Sequence, residues 1–184
     1  NEMFKVWSAE KIKCGCKIFI AQHGGNVGIS KWNQAEDHQI RIADKYISWG
    51  WQEDGKPNVT PLPSPYLNKK IKFKRDGNII FAIPNLPRYF YQSYSVPVAG
   101  QFEICIKEQI KLLNLFTKKA KNITKIKLVS PKKLGWELDK FFLKNGYGAN
   151  IIKNNLNFTQ NANNCRLSVH THNATTFIET LEAN

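Results

Sequence analysis

The chain has 184 residues, 42% of them hydrophobic, which is enough for a buried core and excludes global disorder. No apolar run approaches the ~20 residues of a membrane span, and the opening Asn1 to Trp7 lacks the apolar core of a signal peptide. The net charge is +13, of which residues 61–184 carry +12, a field that favours anionic partners: nucleotides, nucleic acid or an acidic membrane face.

Residues 1–14 read as the end of a helix and a turn, with Phe4, Trp7 and Ile12 available for packing. Cys14 and Cys16 form a Cys-x-Cys without a second ligand pair, and His170 and His172 form a His-x-His without a third partner, so no metal site is predicted. The four cysteines read as reduced thiols of a cytosolic protein. The short apolar run Lys17–Ala21 is predicted as a buried parallel strand. It ends in Gln22-His23-Gly24-Gly25-Asn26-Val27-Gly28, a loop whose backbone can approach a ligand closely. In open α/β sheets ligands bind at that end of the strands. His23 there is either a turn histidine bonded to backbone or a general base with a near-neutral pKa, poised for a hydroxyl acceptor. A helix is predicted between Asn33 and Asp44, then a strand over Lys45–Trp49.

Pro57, Pro61, Pro63 and Pro65 punctuate residues 55–76, which read as an extended, stiff connector and place a domain boundary there. Beyond it the chain alternates. A strand is predicted over Asn78–Ile83, and a long Tyr- and Pro-rich loop containing Arg88 runs from Pro84 to Gly100. A helix over Gln101–Lys118, a strand over Lys125–Val129 and a helix over Leu134–Lys144 follow, the last stopped by Asn145-Gly146. Residues 147–164 are Asn-rich, with a short strand near Ile151–Ile152. Leu167–Thr171 reads as a strand, and Asn173 or Thr175 caps a final helix. The three strands at Ile79–Ile83, Lys125–Val129 and Leu167–Thr171 are predicted as parallel neighbours in one sheet, because helices separate them.

The strand–turn–helix from Arg166 onward is a place where α/β proteins hold an anion, with unpaired N–H groups and a positive dipole end. Thr175 and Thr176 then face a phosphate, and Glu179, one turn in, accepts from a ribose hydroxyl. The alternative is an ordinary capped helix with Glu179 solvated.

Ile20-Ala-Gln-His-Gly-Gly-Asn-Val-Gly28, Glu36 to Asp44, and Tyr46-Ile-Ser-Trp-Gly-Trp51 together resemble transferases of bacterial surface-carbohydrate biosynthesis. Asn173-Ala-Thr-Thr-Phe-Ile-Glu-Thr-Leu181 is similar to a late segment of the same proteins. More distantly, the strand-end His-Gly and the Ser/Thr-rich helix start look like CDP-glycerol glycerophosphotransferases. This chain departs from them in Gly25 to Val27, where they have a proline and a lysine, and in His172-Asn173, where they usually have Asp-Tyr. The resemblance implies an α/β fold of Rossmann-like parallel sheets, part of a GT-B architecture. Residues 1–54 would be the end of an acceptor-side domain, 55–76 a linker, and 77–184 most of a nucleotide-donor domain. It implies a piece of a longer protein, cytoplasmic or peripheral at the inner face of the cytoplasmic membrane. The reaction implied moves a sugar or polyol-phosphate unit from a nucleotide-activated donor to a hydroxyl of a carbohydrate or lipid-linked acceptor. His23 would be the base, in a loop shaped by Gln22, Gly24 and Gly25. Asn173, Thr175, Thr176, Glu179 and Arg88 would hold the donor, with Glu36 or Asp44 orienting His23. No cofactor is implied beyond the donor as substrate.

The rival reading is a basic module for single-stranded nucleic acid, using Tyr89, Phe90, Tyr91 and Tyr94 beside Arg88. It lacks any recognised nucleic-acid signature, so nucleic acid is not the expected partner. A third is an inactive fragment or scaffold.

Overall fold

The computed structural model describes residues 2–24, 27–65, 71–84, 86–89, 97–129 and 134–181. The fold is α/β with two small parallel sheets, in two compact units, Asn1–Leu67 and Asn68–Asn184. Among the described residues no helix is long and apolar enough to cross a membrane.

The first unit runs α1 (Glu2–Lys13), β1 (Phe19–Ala21), α2 (Gln34–Ile42), β2 (Lys45–Trp49) and β3 (Val59–Leu62). Its strands lie in the order β1-β2-β3, with Phe19 opposite Lys45 and Tyr46 opposite Val59. Asn33 starts α2 by accepting a hydrogen bond from Glu36 N–H at 3.2 Å. The core is Ile40, Ala43, Tyr46 and Val59, with Ile20, Val27 and Trp51 packed on it. Two expectations differ here. Phe4, Trp7 and Ile12 of α1 pack on no core and remain exposed, Phe4 and Trp7 stacking on each other at 5.8 Å. The stretch 55–76 is built into structure at both ends. Its first part is β3, which takes Pro61 because an edge strand can spare one N–H. Its last part buries Ile71, and Lys74 N–H donates to Cys165 O at 2.7 Å.

The second unit runs β4 (Ile79–Pro84), α3 (Gly100–Leu115), α4 (Lys118–Ile123), β5 (Thr124–Val129), α5 (Leu138–Lys144), α6 (Phe158–Ala162), β6 (Leu167–His170) and α7 (Thr175–Leu181). The strand order is β5-β4-β6, all parallel, with Ile79 paired to both Thr124 and Leu167. That is the neighbourhood expected of apolar runs separated by helices. Alternate side chains of β4 enter two cores. Phe81 and Ile83 join Phe102, Ile106, Leu113, Leu138 and Phe142, while Ile80 and Ala82 join Ile71, Phe158 and Cys165. Each Ile, Leu and Phe among them contributes about 1.5–3 kcal/mol.

The helix expected over 101–118 ends at Leu115, and Thr117 caps a separate α4 by accepting from Ala120 N–H at 3.2 Å. The helix expected from Leu134 begins at Leu138, because Gly135 (φ +90°) and Glu137 (φ 46°) are left-handed. Gly146 (φ +85°) terminates α5 as expected. Ile151 makes only an isolated bridge to Ile126, and α6, with its Asn157–Gln160 capping box, lies in a stretch without a clear pattern.

Candidate functional site

In the first unit the loop after β1 is organised by Gln22, which is buried. Its Nε2 donates to Gly24 O at 2.9 Å and Val27 O at 3.1 Å. Its Oε1 accepts from Trp49 N–H and Trp51 Nε1–H, both at 2.8 Å. One amide thus ties the loop after β1 to the chain leaving β2. Because β1 and β2 are parallel, both segments lie at the carboxyl edge of the sheet. Gly28 closes the loop at φ +81°, where any Cβ would stand 2.4 Å from Trp51 Nε1. Its N–H donates to Glu36 Oε2 at 3.1 Å.

His23 is exposed on this clamped loop, with Gly24 half-buried beside it. Gly25 lies outside the described residues. Of the two carboxylates expected as orienting partners, Glu36 gives Oε2 to Gly28 and makes no hydrogen bond to His23. Asp44 lies at the other end of β1, where it accepts from Ile18 N–H at 2.8 Å and Lys17 at 3.0 Å. The hydrogen bond from Ile18, then that from Lys17, holds its carboxyl below the usual range. Tyr46, beneath the loop, is fully buried. Burial, with Glu36 nearby, pushes its hydroxyl up to about 12, and the hydroxyl has no partner among the described residues.

In the second unit the candidate groups lie at the carboxyl ends of β4 and β6. Arg88, exposed, follows β4; its N–H donates to Leu134 O at 2.8 Å. Its guanidinium sits 5.4 Å from the Trp136 ring and 5.7 Å from the Tyr89 ring. Trp136 was not foreseen as its neighbour; the turn at Gly135, where an added Cβ would stand 3.0 Å from Arg88 Cβ, brings the two segments together. Phe90, Tyr91 and Tyr94 lie outside the described residues.

After β6, Thr171 Oγ1 donates to Ala82 O at 3.2 Å, His172 is half-buried, and Asn173 is exposed. Burial lowers the pKa of His172. Thr175 and Thr176 open α7, both half-buried. Glu179 is turned inward rather than solvated: it is buried, and Oε2 accepts from Thr159 Oγ1 of α6 at 3.0 Å. His170 ties β6 to α7, its Nε2 lying 2.7 Å from Ser168 Oγ and 3.0 Å from Thr180 Oγ1. Among the described residues no hydrogen bond or ion pair joins Arg88 to the start of α7. The structure therefore brings Gln22, His23, Gly24, Glu36 and Trp51 into one cluster, and Asn173, Thr175 and Thr176 into another.

No curated protein and no solved structure matches the chain significantly. A family model does, over residues 1–184, the whole chain. The chain belongs to the LIC12162 family of transferases.

Proposed function

We propose that this transferase moves a sugar or polyol-phosphate unit from a nucleotide-activated donor to a hydroxyl acceptor in surface-polysaccharide synthesis, on a GT-B-like scaffold. The observation that carries the reading is the position of both polar loops. Each follows a parallel strand at its carboxyl end, where α/β sheets take ligands, in a chain whose family is a transferase family. In this reading His23 takes the proton of the acceptor hydroxyl. The acceptor oxygen then bonds to the reacting carbon or phosphorus, and the bond to the donor's phosphate breaks with its electron pair leaving on the nucleotide. Asn173, Thr175 and Thr176 hold those phosphates, and Arg88 adds positive charge. Glu179 acts by anchoring α7 on α6 through Thr159, so that a ribose contact is left to its other oxygen.

Calorimetry with UDP, CDP and CDP-glycerol tests it. Thr175→Ala with Thr176→Ala lowers affinity at least ~10-fold, since each hydrogen bond to a charged group contributes about 1.5–3 kcal/mol. His23→Ala leaves that binding intact and abolishes transfer, because the base acts on the acceptor. Absence of nucleotide binding by the intact protein overturns the reading.

A further inference from the structure

Beside the Gln22–Gly28 loop the first unit has a cavity of about 310 Å³, within the ~300–1,000 Å³ of small-molecule sites. Its charged lining is three carboxylates, Glu36, Asp37 and Glu53, against two ammonium groups, Lys31 and Lys56. In a chain of net charge +13, this is a locally acidic place. Lys56 is occupied with the carboxylates: it lies 2.8 Å from Glu53 and 3.6 Å from Asp37. The hydrogen bond to Glu53 holds it above its ordinary pKa. Lys31 lies 5.2 Å from the Trp32 ring.

Glu36 is the telling residue. It is 7% exposed and lines the cavity, yet only Oε2 is used, on Gly28 N–H. Among the described residues Oε1 has no hydrogen-bond partner. Oε1 is not sealed in the interior, so it opens on the cavity, where a ligand hydroxyl can donate to it in place of water. Asp37 and Glu53 are about half exposed beside it and offer further acceptors. A phosphate would meet three carboxylates that the two ammonium groups do not fully balance, Lys56 being already paired with Glu53 and Asp37. A sugar's hydroxyls donate to carboxylates without bringing charge, and its C–H face can lie on an indole. Trp51 supplies that wall, fixed in place by Gln22 Oε1 and by Gly28.

We propose that this cavity binds the uncharged, hydroxyl-bearing ring of the acceptor, a neutral sugar, with Glu36 as its central hydrogen-bond acceptor. The word acceptor rests on the transferase reading above; the sugar site itself rests on the cavity alone. It selects neutral over phosphorylated sugars, leaving anion binding to the second unit.

The test follows the Trp51 indole N–H by NMR of the isotope-labelled whole chain, the signal being assigned with Trp51→Phe. The probes are methyl glucoside, methyl galactoside, methyl mannoside and N-acetylglucosamine, against glucose 6-phosphate and glucosamine. At least one neutral sugar shifts the signal saturably, and glucose 6-phosphate binds more weakly. Glu36→Gln, which keeps an acceptor for Gly28 N–H, weakens the sugar about tenfold. If circular dichroism shows that variant unfolded, the exposed changes Asp37→Asn and Glu53→Gln decide, each weakening the sugar severalfold. No shift with any neutral sugar, tighter binding of the phosphate or the amine, or indifference to these substitutions overturns the proposal. UDP and CDP are titrated into the same samples. Nucleotide binding without a sugar shift sinks this inference alone; a sugar shift without nucleotide binding sinks the nucleotide-donor reading and leaves the cavity standing.

Discussion

Gln22 shows how one amide side chain can shape a loop. Its two N–H groups and its carbonyl oxygen meet Gly24 O, Val27 O, Trp49 N–H and Trp51 Nε1–H, all with Gln22 buried. Gln22→Glu keeps the volume but sets an oxygen against two carbonyls, so two half-buried acceptors lose their donor. At about 1–3 kcal/mol for each unsatisfied group, the denaturant midpoint falls by an amount worth at least ~2 kcal/mol. An unchanged midpoint would show that the network contributes nothing. Gly28→Ala combines a left-handed backbone, costing roughly 1–2 kcal/mol, with a Cβ that must displace Trp51. Its signature is therefore a changed Trp51 environment as well as lower stability. The loop itself was legible in the sequence, because a glycine-flanked histidine after a short apolar run marks a strand end. The clamp was not, because Trp49 and Trp51 lie 27 and 29 residues from Gln22 and only the parallel pairing of β1 with β2 brings them there. The partner of Glu179 was hidden for the same reason. Its spacing from Thr175 is compatible with a ribose contact, and the packing of α7 on α6, invisible locally, gives one of its two oxygens to Thr159.

The joint between β6 and α7 has a built-in pH dependence. His170 lies between the Phe158 and Phe177 rings, and its Nδ1 is buried with no partner among the described residues. Burial pushes its pKa from the ordinary 6.5 down to about 4. The folded chain therefore keeps it neutral where the unfolded chain takes up a proton. Stability is fully present above about pH 6.5 and declines as pH falls toward about 4, with His172 shifted in the same direction. Thermal unfolding across that window shows the decline, and His170→Phe makes it shallower. An identical slope in the variant would remove His170 as the cause. The strands of this unit were readable because β4 is apolar at every position from Ile79 to Ile83, which only burial on both faces explains. The helix boundaries were less so. Nothing in periodicity separates α3 from α4, since the break at Phe116 depends on Thr117 turning its hydroxyl to Ala120 N–H. Residues 158–162 make too short a helix to show a repeat, and their capping box alone announces it.

Charge divides the molecule as the sheets do: the first unit is nearly balanced at +1, and the second carries +12. A nucleotide-binding reading and a nucleic-acid reading both draw on that field, but they differ in how salt acts on it. Single-stranded nucleic acid releases counterions in proportion to the phosphates contacted, with a slope of log affinity on log salt near −0.7 for each. A nucleoside diphosphate carries only two phosphates, so its slope stays shallow, and much of its affinity comes from hydrogen bonds fixed in direction. The prediction is that UDP or CDP binding weakens only a few-fold between about 50 and 200 mM salt, where several phosphate contacts would cost a strand about 10²–10³. Thr175→Ala with Thr176→Ala lowers nucleotide affinity by the same factor at both salts, because the lost hydrogen bonds are local. For a strand bound through Arg88 and its aromatic neighbours, the threonine changes leave affinity alone, whereas Tyr89→Ala or Tyr91→Ala lowers it. Steep salt dependence, indifference to the threonines and sensitivity to the tyrosines, found together in calorimetry on the intact protein, would assign the positive field to nucleic acid.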